Sequence, residues 1–254
     1  MFFVGRPSYN GWYWMGSEQA MGMASLKGKK IRVQRIASSL LPAQFNQLWC
    51  NARNAGADYF AMLHADIGAP GGWLDVLHDE MQAHGAHIIS AVVALKCENG
   101  TTSTAIDRHG VYSQHQRLTV GEIAKLPETF SAADLPDGGT LLINTGMMLW
   151  DLRAPESDKF PGFHFLDRVG YVEDGAGNKK WLTVCEPEDW ELSRWAASVG
   201  LKVMATRKIQ TRHEGPKQYT TAAEDYPFAL ETDSAYAAAD KSRDAELAET
   251  ARSL

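Results

Sequence analysis

The stretch YFAMLHADIGAPGGWLDVL, residues 59–77, changes character three times in a short span. Tyr59 to Leu63 is an apolar run that stops abruptly at His64-Ala65-Asp66. Gly68-Ala69-Pro70-Gly71-Gly72 then breaks the chain, and a helical pattern opens at Trp73. Apolar run, polar tip, breaker and helix together predict a buried strand of an α/β sheet, with a histidine and a carboxylate delivered at its carboxyl end. Ligands of open α/β sheets bind outside the carboxyl ends of the strands. Asp66 is therefore the first residue to consider for chemistry.

Working outward, the same alternation recurs on both sides. Met1 to Gly5 reads as a strand stopped by the turn-rich Arg6-Pro7-Ser8-Tyr9-Asn10-Gly11, and Ser17 is placed to cap a helix carrying Ala20, Met21, Ala24 and Leu26. Ile31 to Ile36 alternates as a strand. Residues 42–55 carry Phe45, Leu48, Trp49 and Ala52 at helical spacing, with Gly56 as a C-cap. A helix over 73–84 follows the central stretch, and HIISAVVAL (87–95) reads as a strand apolar on both faces. This β-α-β-α-β-α-β order predicts a mainly parallel sheet with right-handed crossovers.

Further along, a strand is expected near Ile106 to Tyr112, and the apolar run 140–152 is interrupted by Asn144-Thr145-Gly146. Residues 153–180 read as an ordered but irregular loop with a tight turn at 174–178. Cys185-Glu186-Pro187-Glu188-Asp189 introduces a helix to about Val199. Strands follow at Leu201 to Thr206 and at Ile209 to His213. From about residue 216 the composition turns to alanine and charge, so 216–254 is expected to be a helical, charged tail serving docking or homo-oligomerisation.

The 254 residues, with 44% apolar and 22% charged content, describe an ordinary globular protein. A net charge of −6 gives no support to a surface that coats nucleic acid, although it leaves a local basic groove open. Three scattered cysteines, Cys50, Cys97 and Cys185, suit reduced thiols better than a disulfide framework. No apolar run reaches the roughly 18 residues of a membrane span, and no signal peptide is visible. A soluble, cytoplasmic protein is expected.

A lone aspartate after a strand is more often a turn cap than a catalyst. Asp66 has companions: His64 two residues earlier, the glycine-rich turn that lets a bulky group approach the backbone, and His213 at another strand end. Carboxylate oxygen with imidazole nitrogen suits a divalent ion such as Mn2+, whereas Mg2+ favours more oxygen. Glu188 and Asp189 read first as helix-start acids, worth about 0.3–1 kcal/mol each. A rigid helix start would equally hold a general base. Asn144-Thr145-Gly146 reads as a bulge or strand break, or as a backbone opening for substrate. Phe160, Phe163, His164, Phe165 and Trp181 form either a self-packed loop or an aromatic platform.

In this order the features resemble the GT-A fold glycosyltransferases, in particular the family-2-like group with its uncharacterised phage and bacterial members. The resemblance covers residues 1–215. It implies an α/β, Rossmann-like catalytic domain with the tail at 216–254. Pro7, Ser8, Tyr9 and Asn46 would contact the nucleotide, together with His64-Ala65-Asp66, which aligns with the Asp-X-Asp motif. Phe45 stands where the family carries an arginine, and His64 stands for the first acid. The resemblance implies Mn2+ or Mg2+ held by Asp66, His213 and His64, with Asp189 as base and Glu188 next in line. Asn144, Thr145, Gly146 and Trp150 would line the substrate pocket. The implied activity is inverting transfer from a nucleotide sugar, a UDP-sugar first, to an acceptor hydroxyl on a glycan or a modified DNA base. The alternatives are a non-catalytic nucleotide-sugar or glycan-binding protein and a nucleotidyltransferase.

Overall fold

The computed structural model describes residues 1–97, 99–108, 116–173, 175–215 and 218–221. The first half runs β1 (Phe2–Ser8), α1 (Met15–Gly22), β2 (Ile31–Ala37), α2 (Leu41–Asn54), β3 (Tyr59–Leu63), β4 (Ile67–Gly68), α3 (Trp73–His84) and β5 (Ile88–Ala91). The next stretch contains β6 (Thr101–Asp107), β7 (Gln116–Thr119), α4 (Val120–Ile123), β8 (Thr129–Ser131), β9 (Thr140–Leu142) and β10 (Met147–Asp151). The last comprises β11 (Leu166–Glu173), β12 (Lys179–Glu186), α5 (Glu188–Ser198), β13 (Val203–Thr206), β14 (Arg212–Glu214) and β15 (Gln218–Thr220).

The central sheet has seven strands in the order β2-β1-β3-β10-β5-β13-β8. β1, β2, β3, β5 and β13 run one way, while β10 and β8 are reversed. This is the expected α/β architecture, a mainly parallel sheet flanked by helices. Its cause is visible in β3, whose five residues are all buried. Side chains alternate across a strand, so Phe60 and Met62 enter one core with Phe45 and Leu48 of α2 and Leu192 of α5. Tyr59, Ala61 and Leu63 enter the other, with Ala20 of α1 and Trp73, Leu74 and Leu77 of α3. Each such fully buried Leu or Phe contributes about 1.5–3 kcal/mol. β3 and α3 lie where the stretch 59–77 predicts them.

Several expectations change. Ser17 does not cap α1: Trp14 holds the cap position, and the Ser17 hydroxyl, inside the helix, donates to the His64 carbonyl at 2.8 Å. β5 ends at Ala91, because the chain beyond it leaves the central sheet and Ala94 bridges Thr102. The run 140–152 is two strands in two sheets. β9 pairs with β6, and β10 enters the central sheet. The strand expected near 106–112 is β6, which ends at Asp107; residues 109–112 lie outside the described ones.

The loop expected over 153–180 holds a short 3-10 turn, Pro155–Lys159, and then the β11–β12 hairpin, a two-stranded sheet of its own. Cys185 and Glu186 close β12 rather than opening a helix. Residues 218–220 form a strand paired with β14, not a helix, and 222–254 lie outside the described residues. Among the described residues, no helix is long and apolar enough to cross a membrane.

Candidate functional site

The carboxyl ends of β1, β3, β5 and β13 share one edge of the sheet. Because β10 is reversed, its amino end reaches the same edge: Met147 pairs with Leu63. α5 returns toward β13, so its amino end also faces this edge.

Asp66 sits just past β3. β4 follows it and pairs antiparallel with β14, placing His213 opposite Ile67. The Glu214 amide donates to the Asp66 carbonyl at 2.7 Å. This register brings the His213 Nε2 to 3.2 Å from Asp66 Oδ2. The other ring nitrogen, Nδ1, lies 2.8 Å from the Ala94 carbonyl and can only donate to it, which fixes the ring. Lys96, which sequence reasoning does not single out, donates to the same Asp66 Oδ2 at 2.7 Å. Burial alone would raise the Asp66 carboxyl. His213 and Lys96 outweigh that and hold it well below the usual carboxylate range, so it is ionised throughout the neutral region.

His64 stands apart from this pair. Its ring lies 5.0 Å from Phe45, centroid to centroid, and its Nε2 is 3.5 Å from the Thr145 hydroxyl. Desolvation pushes its pKa down to about 4, against the pull of Asp66, so the imidazole is neutral at pH 7.

The expected metal can be tested on this geometry. An ion bonded at about 2.1 Å to an imidazole nitrogen and a carboxylate oxygen on adjacent corners of an octahedron needs them about 3.0 Å apart, close to the 3.2 Å between His213 Nε2 and Asp66 Oδ2. A third ligand is missing: among the described residues, no three His, Cys, Asp or Glu side chains converge to hold a metal. The shared oxygen already carries the Lys96 ammonium. Asp66, His213 and His64 therefore do not form a three-ligand cage.

The second carboxylate cluster starts α5. Glu188 is buried. Asp189 Oδ1 is sealed from solvent with no hydrogen-bond partner among the described residues. Burial, then the neighbouring Glu188 charge, pushes the Asp189 carboxyl well above its usual range, with Arg117 opposing. The Arg117 guanidinium lies 4.4 Å over the Trp190 ring. The Ser193 hydroxyl donates to the Asp189 carbonyl at 2.8 Å and accepts from the Ile143 amide at 3.0 Å. This serine ties the helix start to the break between β9 and β10.

That break carries Asn144, Thr145 and Gly146, which the structure brings beside His64. The His64 amide donates to the Gly146 carbonyl at 2.9 Å. The Asn144 amide nitrogen donates to Ala91 O at 2.7 Å, and its buried Oδ1 has no partner among the described residues. A Cβ on Gly146 would lie 3.2 Å from that oxygen, so the glycine allows the close approach.

The other expected contacts lie elsewhere. Pro7 and Ser8 are buried within β1 rather than in a loop. The Ser8 hydroxyl accepts from the Gly11 amide at 2.9 Å and shapes the turn, which leaves Tyr9 exposed. Trp150 is in the core: its ring packs with Trp49, Phe160 and Trp195, and its Nε1 donates to Ser157 Oγ at 3.0 Å. It does not line a substrate pocket. Phe160 and Phe163 are likewise self-packed, 4.9 Å apart.

Asn46, expected to contact the nucleotide, is engaged by the backbone of Phe163. Its side chain grips both backbone groups of Phe163, with Nδ2 donating to the carbonyl at 2.8 Å and Oδ1 accepting from the amide at 2.6 Å. Asn46→Ala is expected to cost about 1–3 kcal/mol in denaturant unfolding, because it strands those two groups. An unchanged midpoint would remove the clamp assignment.

Sequence reasoning also misses Trp12 and Trp14, which are 77% and 47% exposed beside Met15. The Trp14 amide donates to Ala65 O at 2.8 Å, holding this loop at the Asp66 edge. Three consecutive aromatics, Trp12-Tyr13-Trp14, in a polar loop were the available signal. Tyr13 is the anchor, its ring 4.4 Å from the wholly buried Arg6 guanidinium.

No family model and no curated protein matches the chain. Among solved structures, one titled "Crystal Structure of A197 from STIV" aligns at a TM-score of 0.48 and 12% identity, covering 86% of this chain and 88% of its own. A CMP:2-keto-3-deoxy-manno-octonic acid synthetase complexed with CTP aligns at 0.40 and 12% identity, covering 80% and 88%. Likenesses this distant transfer no residue roles, so the site stands on its own geometry. The chain has an α/β fold with a mainly parallel central sheet flanked by helices.

Proposed function

We propose that the protein transfers a sugar from a nucleotide-sugar donor, a UDP-sugar in the first instance, to an acceptor hydroxyl with inversion at the anomeric carbon. The observation that carries this reading is the Asp189 carboxyl at the start of α5, whose Oδ1 is sealed from solvent with no hydrogen-bond partner among the described residues, on the sheet edge that also holds Asp66. A general base works best when its proton affinity lies near the working pH, and desolvation raises a carboxylate toward that range. Asp189 takes the proton of the acceptor hydroxyl as its oxygen forms a bond to the anomeric carbon. The bond from that carbon to the diphosphate oxygen breaks, and its electron pair leaves with the nucleoside diphosphate. In this reading Asn144 Oδ1 and the Thr145 hydroxyl hold polar groups of the sugar. Trp12 and Trp14 offer stacking faces, which suit a pyranose ring or a base. The acceptor is thus a glycan or a modified DNA base.

The test is a panel of nucleotide sugars incubated with and without Mn2+, scored for product. Slow release of nucleoside diphosphate is expected for at least one donor. Pyrophosphate released from a nucleoside triphosphate and a sugar phosphate would assign nucleotidyl transfer instead. Binding with no turnover on any acceptor would assign a non-catalytic sugar-binding role.

A further inference from the structure

We infer that Lys96, not a divalent ion, is the cation that Asp66 holds, and that its remaining N–H donors receive the diphosphate of the donor; the second half rests on the function proposed above. Lys96 Nζ and His213 Nε2 converge on one oxygen, Asp66 Oδ2, at 2.7 and 3.2 Å. A metal bridging Asp66 and His213 would need that oxygen and would lie within a few ångströms of the ammonium, where two cations repel. His64, the third ligand the sequence suggests, is turned to Phe45 and Thr145.

The lysine is also well placed to act. The Leu95 amide donates to Thr101 O at 2.8 Å, Ala94 bridges Thr102, and His213 donates to Ala94 O, so the backbone before Lys96 is pinned from two sides. An ammonium has three donors and no acceptor. Asp66 takes one, and the Lys96 side chain is 36% exposed, which leaves solvent-facing room for the others. Lysine binds phosphate as a point charge. A diphosphate approaching an ionised Asp66 alone would be repelled, and Lys96 cancels that charge.

Two titrations on the full chain test this. With Mn2+ alone, followed by the paramagnetic signal of free Mn2+, the wild type is expected to bind no ion at millimolar concentration. Lys96→Met, which uncovers the Asp66–His213 pair, is expected to gain Mn2+ binding. With uridine diphosphate in EDTA, the wild type is expected to bind. Adding Mn2+ should change its affinity by less than roughly threefold, Lys96→Met should weaken it at least about tenfold, and Lys96→Arg should restore most of it. Circular dichroism confirms that each variant is folded. Mn2+ binding by the wild type, or nucleotide binding that requires Mn2+, overturns the inference. If the Mn2+ titration behaves as expected but no uridine diphosphate binds, the donor assignment falls, together with the diphosphate half of the inference.

Discussion

Asp189→Asn is expected to lower sugar transfer by about 10²–10⁴-fold and, at neutral pH, to make the protein more stable. Both effects come from one cause. Burial and then the Glu188 charge raise the Asp189 carboxyl above its unfolded value of about 3.9, so the folded protein favours the neutral form. Its contribution to stability is complete below the unfolded value and is lost as pH rises through the higher folded value. Asparagine carries no such penalty. The gap between variant and wild-type unfolding midpoints should therefore widen from pH 4 to pH 8, while the wild-type rate climbs over the same span as the base ionises. A pH-independent gap would show that the carboxyl is not desolvated. Wild-type turnover in the variant would remove it as the base.

Trp150→Ala is expected to cost about 3–5 kcal/mol in urea unfolding. Its ring fills the space between Trp49, Phe160 and Trp195, and its loss would also remove the indole donor to the Ser157 hydroxyl. Trp150→Phe should retain much of that packing and lose less. The contrast separates a core residue from a substrate contact. A pocket residue would lower transfer with little change in stability, and that result would return Trp150 to the substrate pocket.

The central strand and its helix were readable because burial leaves strong marks. A strand covered on both faces must be apolar throughout, and a glycine-proline break must separate it from a helix of different period. Asp66 and His213 were readable as polar residues ending such strands. They were grouped as joint metal ligands; the direct contact between their side chains was not readable, since it depends on the β4–β14 register, set by only two residue pairs. Lys96 left no mark, because one lysine after a strand is ordinary. Asn46 and Trp150 misled for opposite reasons. A polar residue on a helix was read as a ligand contact when it satisfies a distant backbone, and a large aromatic beside a polar break was read as pocket when it alternates into the core. The β11–β12 hairpin escaped because its described side chains are mostly exposed, so burial left little pattern to read.

That hairpin has a consequence for how the protein can diversify. Its ladder closes on itself, its described side chains are largely exposed, and it hands the chain directly to α5 and Asp189. Arg194 fixes its root through Glu186 at 2.5 Å and Asp107 at 2.7 Å. Residues beyond that root can be lengthened, shortened or rewritten without opening either core, as exposed connections generally can. On the function proposed above, insertion and substitution in the arm are a route by which selectivity near Asp189 can change, while the central sheet and its two cores stay as they are.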